Sequence, residues 1–157
     1  MKLVELKRDN IKKLILSSFL NESTNNIITT KTYHISNTQN EILHFIPSIQ
    51  GIYGWGVYTT PNLNKIKKHF YDIKSKRYNG RVYLLNVSIQ NPIDEKGLLK
   101  DGSNYWELIK ELGPEQAKNF ALNLGHTGVI RKSTDGTEII LPFSGDQITI
   151  LDSNVIV

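Results

Sequence analysis

Between Arg81 and Ile89 the chain alternates without a break. Tyr83, Leu85, Val87 and Ile89 fall on one side of an extended backbone, and Val82, Leu84, Asn86 and Ser88 on the other. A period of two scatters a set of side chains around a helix axis but gathers it on one face of a strand, so this stretch is predicted to be a strand. A strand needs neighbours, and the chain offers them as short runs. Ile27 to Ser36 is rich in β-branched residues, and Val57 to Thr59 follows a glycine-rich turn. Gly128 to Arg131, Glu138 to Phe143 and Gln147 to Leu151 come in quick succession near the end.

Helical spacing occupies the gaps. Leu6, Ile11, Leu14, Ile15 and Phe19 line one face over Val4 to Leu20. Thr60-Pro61 has the form of a helix start, with Thr60 as cap, and Leu63, Ile66, Phe70 and Ile73 share the face that follows. Tyr105 to Leu112 and Pro114 to Leu124 are two short helices divided by Gly113, while Asn37 to Ile46 fits either a short helix or a loop. The expected class is α+β, a core of about five or six short strands with helices inserted between them.

The 157 residues suit one domain, 1–157, in which 1–26 form an N-terminal helix and connector. With 39% hydrophobic and 22% charged residues, a packed globular chain is expected. Cysteine is absent, which excludes disulfides, thiolate metal sites and a Cys nucleophile. His34, His44, His69 and His126 are scattered, so no metal site is expected. The net charge of +4 fits a nucleotide or nucleic-acid partner and fits a solvated lysine surface equally well. Only Arg8, Arg77, Arg81 and Arg131 could clamp an anion with two parallel hydrogen bonds. The apolar stretch Leu14 to Leu20 is too short for a membrane span and lacks the features of a signal peptide, so a cytoplasmic protein with no membrane partner is expected.

Two nucleotide-binding motifs fail on context. The glycines Gly51, Gly54 and Gly56 precede a strand, whereas the dinucleotide fingerprint follows one and opens a helix. No Gly-Lys-Ser/Thr occurs, so there is no P-loop. The glycine block does let backbone approach a flat ligand closely, and Tyr53, Trp55 and Tyr58 bring rings to it; the alternative is that these rings only fill the core. His34, near the end of an apolar strand, either bonds a ligand hydroxyl or is a satisfied structural residue. Glu138 stands alone at the mouth of an apolar strand, where it faces solvent or stabilises developing positive charge.

Taken in order, Tyr33-His34-Ile35-Ser36, Gly51 to Thr60 and Thr137 to Leu141 with Gln147-Ile148 resemble the His-Tyr-Glu branch of the ADP-ribosyltransferase superfamily, in its small bacterial or phage toxin form. Ile35 stands where that family carries Gly. The Asn91-Pro92 strand end and Gly125 to Ile130 agree with it, whereas the Arg-Ser-Glu branch would need Arg at 34 and Glu or Gln at 136. The resemblance implies a split, mixed or antiparallel sheet core of the ADP-ribosyltransferase type and NAD as substrate, without a metal. In that scheme Glu138 holds the nicotinamide ribose, Tyr58 stacks on nicotinamide and His34 bonds the adenosine ribose. Ile35 and Ser36 hold the carboxamide, Gly51, Tyr53 and Gly56 shape the cofactor site, and His69 or Tyr71 adds a second ring. ADP-ribose would pass to a macromolecular acceptor, RNA or DNA before protein, as in a toxin–antitoxin or antiviral-defence module with an antitoxin partner, or in an effector. Two other functions fit the sequence: a small basic ribonuclease toxin using His34, His44 or His126 with Lys, and a binding module without catalysis.

Overall fold

A computed structural model describes residues 26–36, 38, 40–49, 51–68 and 80–155. The N-terminal helix expected over Val4 to Leu20 lies outside these residues, as do His69 and Tyr71. The class is α+β, with antiparallel sheets and few helices. Strand β1 (Ile27–Ser36) pairs along its whole length with β2 (Arg81–Gln90), from Ile27 opposite Gln90 to Ser36 opposite Arg81. Strand β5 (Ile148–Asp152) lies on the other side of β2, with a register shift between Leu84 and Leu85. Strands β3 (Gly128–Lys132) and β4 (Glu138–Pro142) form a separate hairpin.

The two sheets are joined by segment 57–60. Val57 and Thr59 donate amide hydrogen bonds to Pro142 O (2.9 Å) and Ile140 O (3.1 Å) on β4. Thr60 exchanges backbone bonds with Tyr33 on β1 (2.8 and 3.0 Å). This segment, expected as a strand, is confined to isolated bridges, because Gly56 precedes it and Pro61 follows. Beneath it the alternating face of β2 is fully sealed: Tyr83, Leu85, Val87 and Ile89 pack with Phe45, Val57 and Ile140. Each such side chain contributes roughly 1.5–3 kcal/mol by leaving water.

A second core lies under α1 (Tyr105–Leu112) and α2 (Pro114–Asn123), where Tyr105, Ala117 and Ala121 meet Val129, Leu141 and Phe143. Asn104 caps α1 through the Glu107 amide, and Gly113, at φ 86°, ends it before Pro114 opens α2. One detail differs from expectation, and the choice between helix and loop before Ile46 falls to the loop. The helical turn over 63–68 is capped by Asn62, whose carboxamide oxygen accepts from Lys65 N (3.1 Å), while the Thr60 hydroxyl donates to Glu138 O (2.8 Å). Residues 40–46 are bends and extended chain without a helix. Among the described residues no helix is long and apolar enough to cross a membrane.

Candidate functional site

Where β1, segment 51–60, the helical turn at 63–68 and the β3–β4 turn meet, they enclose a cleft of about 670 Å³. A second cavity of about 500 Å³ lies beside it, and His34 and Tyr58 line both, forming the partition. Two of the three residues expected to carry chemistry are therefore side by side.

His34 is positioned by β1 and by segment 57–60. Its Nδ1–H donates to Tyr58 O (2.8 Å), a carbonyl that can only accept, so this nitrogen carries the proton. Phe45 meets the ring edge-on at 5.0 Å. Burial pushes the imidazole pKa down, with partial opposition from the bond to Tyr58 O, so the ring is neutral near pH 7. Neutral and protonated at Nδ1, His34 keeps Nε2 as a hydrogen-bond acceptor.

Tyr58 contributes a ring face, because its hydroxyl is committed. It donates to Gly54 O (2.8 Å) and accepts from Tyr53 N (3.0 Å), and burial raises its pKa. The glycines serve this seating. A side chain at Gly51 would overlap the Tyr58 phenol, and at Gly56 (φ 148°) a Cβ would meet Leu141 at 2.7 Å and Pro142 O at 2.8 Å. The block is thus a turn folded over a tyrosine and pressed onto β4. Tyr53, itself nearly buried, adds a second ring to the cleft.

Glu138 stands elsewhere. Its neighbours Thr137 and Ile139 line the cleft, and strand alternation turns the Glu138 side chain to the other face, where the residue is exposed. Ile35 lines the cleft, whereas Ser36 is buried, its Oγ accepting from Thr38 N (3.2 Å). His126 is remote and fully used: Nδ1–H donates to Asn91 O (2.8 Å) and Nε2 accepts from Lys100 N (3.2 Å). His44 is exposed, 4.0 Å from Asp146. Among the described residues, no three His, Asp or Glu are grouped to hold a metal ion.

Three polar features escaped the sequence. Lys65 and Asp135 form an ion pair between the helical turn and the β3–β4 turn, both at the cleft. The Lys65 ammonium, then the Ser133 hydroxyl and the Thr137 amide, hold the Asp135 carboxyl well below the usual carboxylate range. Thr59 is buried in a relay, its hydroxyl accepting from Thr32 (2.9 Å) and donating to Ile140 O (2.6 Å). Arg131 lies over the rings of Tyr53 and Trp106. None of these pairs is close in sequence, so no local pattern announced them.

No family model matches the chain, and no solved structure matches it. A curated protein of Pyrococcus horikoshii described as "Putative 6-carboxy-5,6,7,8-tetrahydropterin synthase" is 29% identical over 84 residues, 52% of this chain and 51% of that protein. The chain spans about half the length of the relative it matches. This finding corrects the expected place in the ADP-ribosyltransferase superfamily, and with it the transfer of ADP-ribose and the toxin, antitoxin-system and antiviral roles. The physical reason lies in what the matching residues do. Gly51 and Gly56 make room for Tyr58 and Leu141, and Gln147 braces β2 and β3 through Ser88 O and Thr127 O (2.9 Å each). At these three positions packing accounts for residues that matched a dinucleotide site. What the chain is similar to, over half its length, is a protein described as a pterin synthase.

Proposed function

We propose that the cleft binds a flat nitrogen heterocycle of the pterin class and that the protein acts on, or holds, such a compound. The observation that carries this is the partition: His34 presents an uncharged acceptor beside the Tyr58 ring inside an apolar cleft of about 670 Å³. That volume falls in the range of small-molecule sites, roughly 300–1,000 Å³, in which a few polar groups orient a ligand held by apolar walls. A pterin brings a planar face for Tyr58 and Tyr53 and ring N–H and amino donors for His34 Nε2. The partial likeness to a protein described as a tetrahydropterin synthase supports the same ligand class.

Titrating the protein with pterin and following quenching of the ligand's fluorescence tests this. His34→Phe keeps a ring against Phe45 and removes Nε2, and should weaken binding about tenfold, the size of one lost hydrogen bond in a dry site. Ile139→Trp should fill the cleft and abolish binding. Pterin bound with equal affinity by both variants, or NAD bound where pterin is not, would overturn the proposal.

A further inference from the structure

Arg131 stands on β3 directly opposite Ile139 of β4, and Ile139 lines the cleft. The guanidinium carbon is 4.3 Å from the Tyr53 ring centroid and 4.5 Å from that of Trp106. Those rings meet at 70° with centroids 6.4 Å apart, so they make a corner in which the guanidinium rests. Its Nε–H donates to Lys132 O (3.3 Å), which ties down the remaining N–H edge of the stem.

Charge near the cleft is otherwise balanced. Lys65 and Asp135 neutralise each other, and burial keeps His34 uncharged. Glu95 gives its carboxylate to the Lys132 amide and lies near enough for Arg131 to help hold its carboxyl below the usual range, but among the described residues no carboxylate comes within salt-bridge distance of Arg131. A guanidinium stays protonated at all ordinary pH, and its planar fork pairs with oxyanions through two parallel bonds. Ring contacts on its faces hold that fork in place, so little rotamer entropy remains to be lost on binding.

We propose that Arg131 recognises an oxyanion, a carboxylate or phosphate ester, carried by the flat ligand in the cleft. The heterocycle lies against Tyr58 and Tyr53, and its anionic substituent reaches the Arg131 fork. This rests on the cleft being a heterocycle site, and the test separates the two. Pterin, 6-carboxypterin and 6-hydroxymethylpterin phosphate are titrated against the wild type and against Arg131→Gln and Arg131→Lys. The wild type should bind at least one anionic ligand about tenfold or more tighter than pterin, as expected for a charge-assisted pair. Arg131→Gln should erase that preference while its affinity for pterin stays within about twofold, and Arg131→Lys should restore part of it, since Lys supplies charge without the fork. Which anionic ligand gains more tells a carboxylate from a phosphate. Should Arg131→Gln fail to fold, the comparison of the three ligands on wild type at low and high salt still decides. Equal affinity for all three overturns the role of Arg131 and leaves the cleft standing. No binding of any of them overturns both.

Discussion

His34 and His126 begin alike and end differently. Each donates Nδ1–H to a backbone carbonyl 2.8 Å away, Tyr58 O in one case and Asn91 O in the other. Burial lowers the pKa of both. At His126 the second nitrogen accepts from Lys100 N, so the ring is a strut between the chain after β2 and the loop before α1. At His34 the second nitrogen has no hydrogen-bond partner among the described residues, and the residue lines two cavities. A buried group with a spare bond is what a binding site needs, and a buried group with none to spare is what a scaffold needs.

The sharpest way to break this contrast is to destroy the seat of one histidine's partner. Gly51→Ala should push Tyr58 off Gly54 O and Tyr53 N, destabilising the protein by about 1–3 kcal/mol and abolishing ligand binding; thermal unfolding and titration read the two effects. Next comes His126→Ala, which removes the ring bonded to the Lys100 amide and the Asn91 carbonyl. It should cost about 1–3 kcal/mol in denaturant unfolding and leave ligand affinity unchanged in the folded fraction. His34→Phe should do the reverse, changing affinity more than stability.

A smaller effect is expected from pH. Both imidazoles have folded pKa values below the unfolded value of 6.5. The unfolded chain therefore binds protons first, and the contribution of each is present above pH 6.5 and is lost as the pH falls through the folded value. Stability should decline on acidification below that point, and His126→Gln should flatten part of the decline in unfolding measured across pH. The smallest change is Asp135→Asn. Both partners of its ion pair with Lys65 are about half exposed, so thermal stability should scarcely move, while stopped-flow binding should quicken if the pair narrows the cleft mouth.

Local periodicity made much of the fold legible. The alternation of 81–89 became β2, the β-branched run became β1 in full, and Gly113 divides two helices where the sequence placed the break. Boundaries set by competition were not legible. Asn62 takes the cap expected of Thr60, whose hydroxyl accepts from Asn62 N (3.2 Å) just ahead of the turn while donating to Glu138 O across the gap to β4. Of the site, His34 and Tyr58 could be picked as residues but not for their roles. The bond from His34 to Tyr58 O and the folding of Gly51 over the phenol exist only once β1 and segment 57–60 are paired. The corner that holds Arg131 joins β3 to a ring from 51–60 and a ring from α1, and no spacing in the chain encodes it. The family resemblance misled for a related reason: short glycine, histidine and glutamate patterns recur wherever tight turns meet strand ends.

Long-range nitrogen NMR of the histidine rings, with and without pterin, tests the central claim most directly. In the free protein both rings should show a protonated Nδ1 and an unprotonated Nε2, that of His126 already shifted by its bond from Lys100 N and that of His34 not. Added pterin should shift the His34 Nε2 resonance towards that of a hydrogen-bonded acceptor and leave His126 in place. A His34 Nε2 signal that stays fixed at saturating ligand, or a His126 signal that moves with it, would contradict the account.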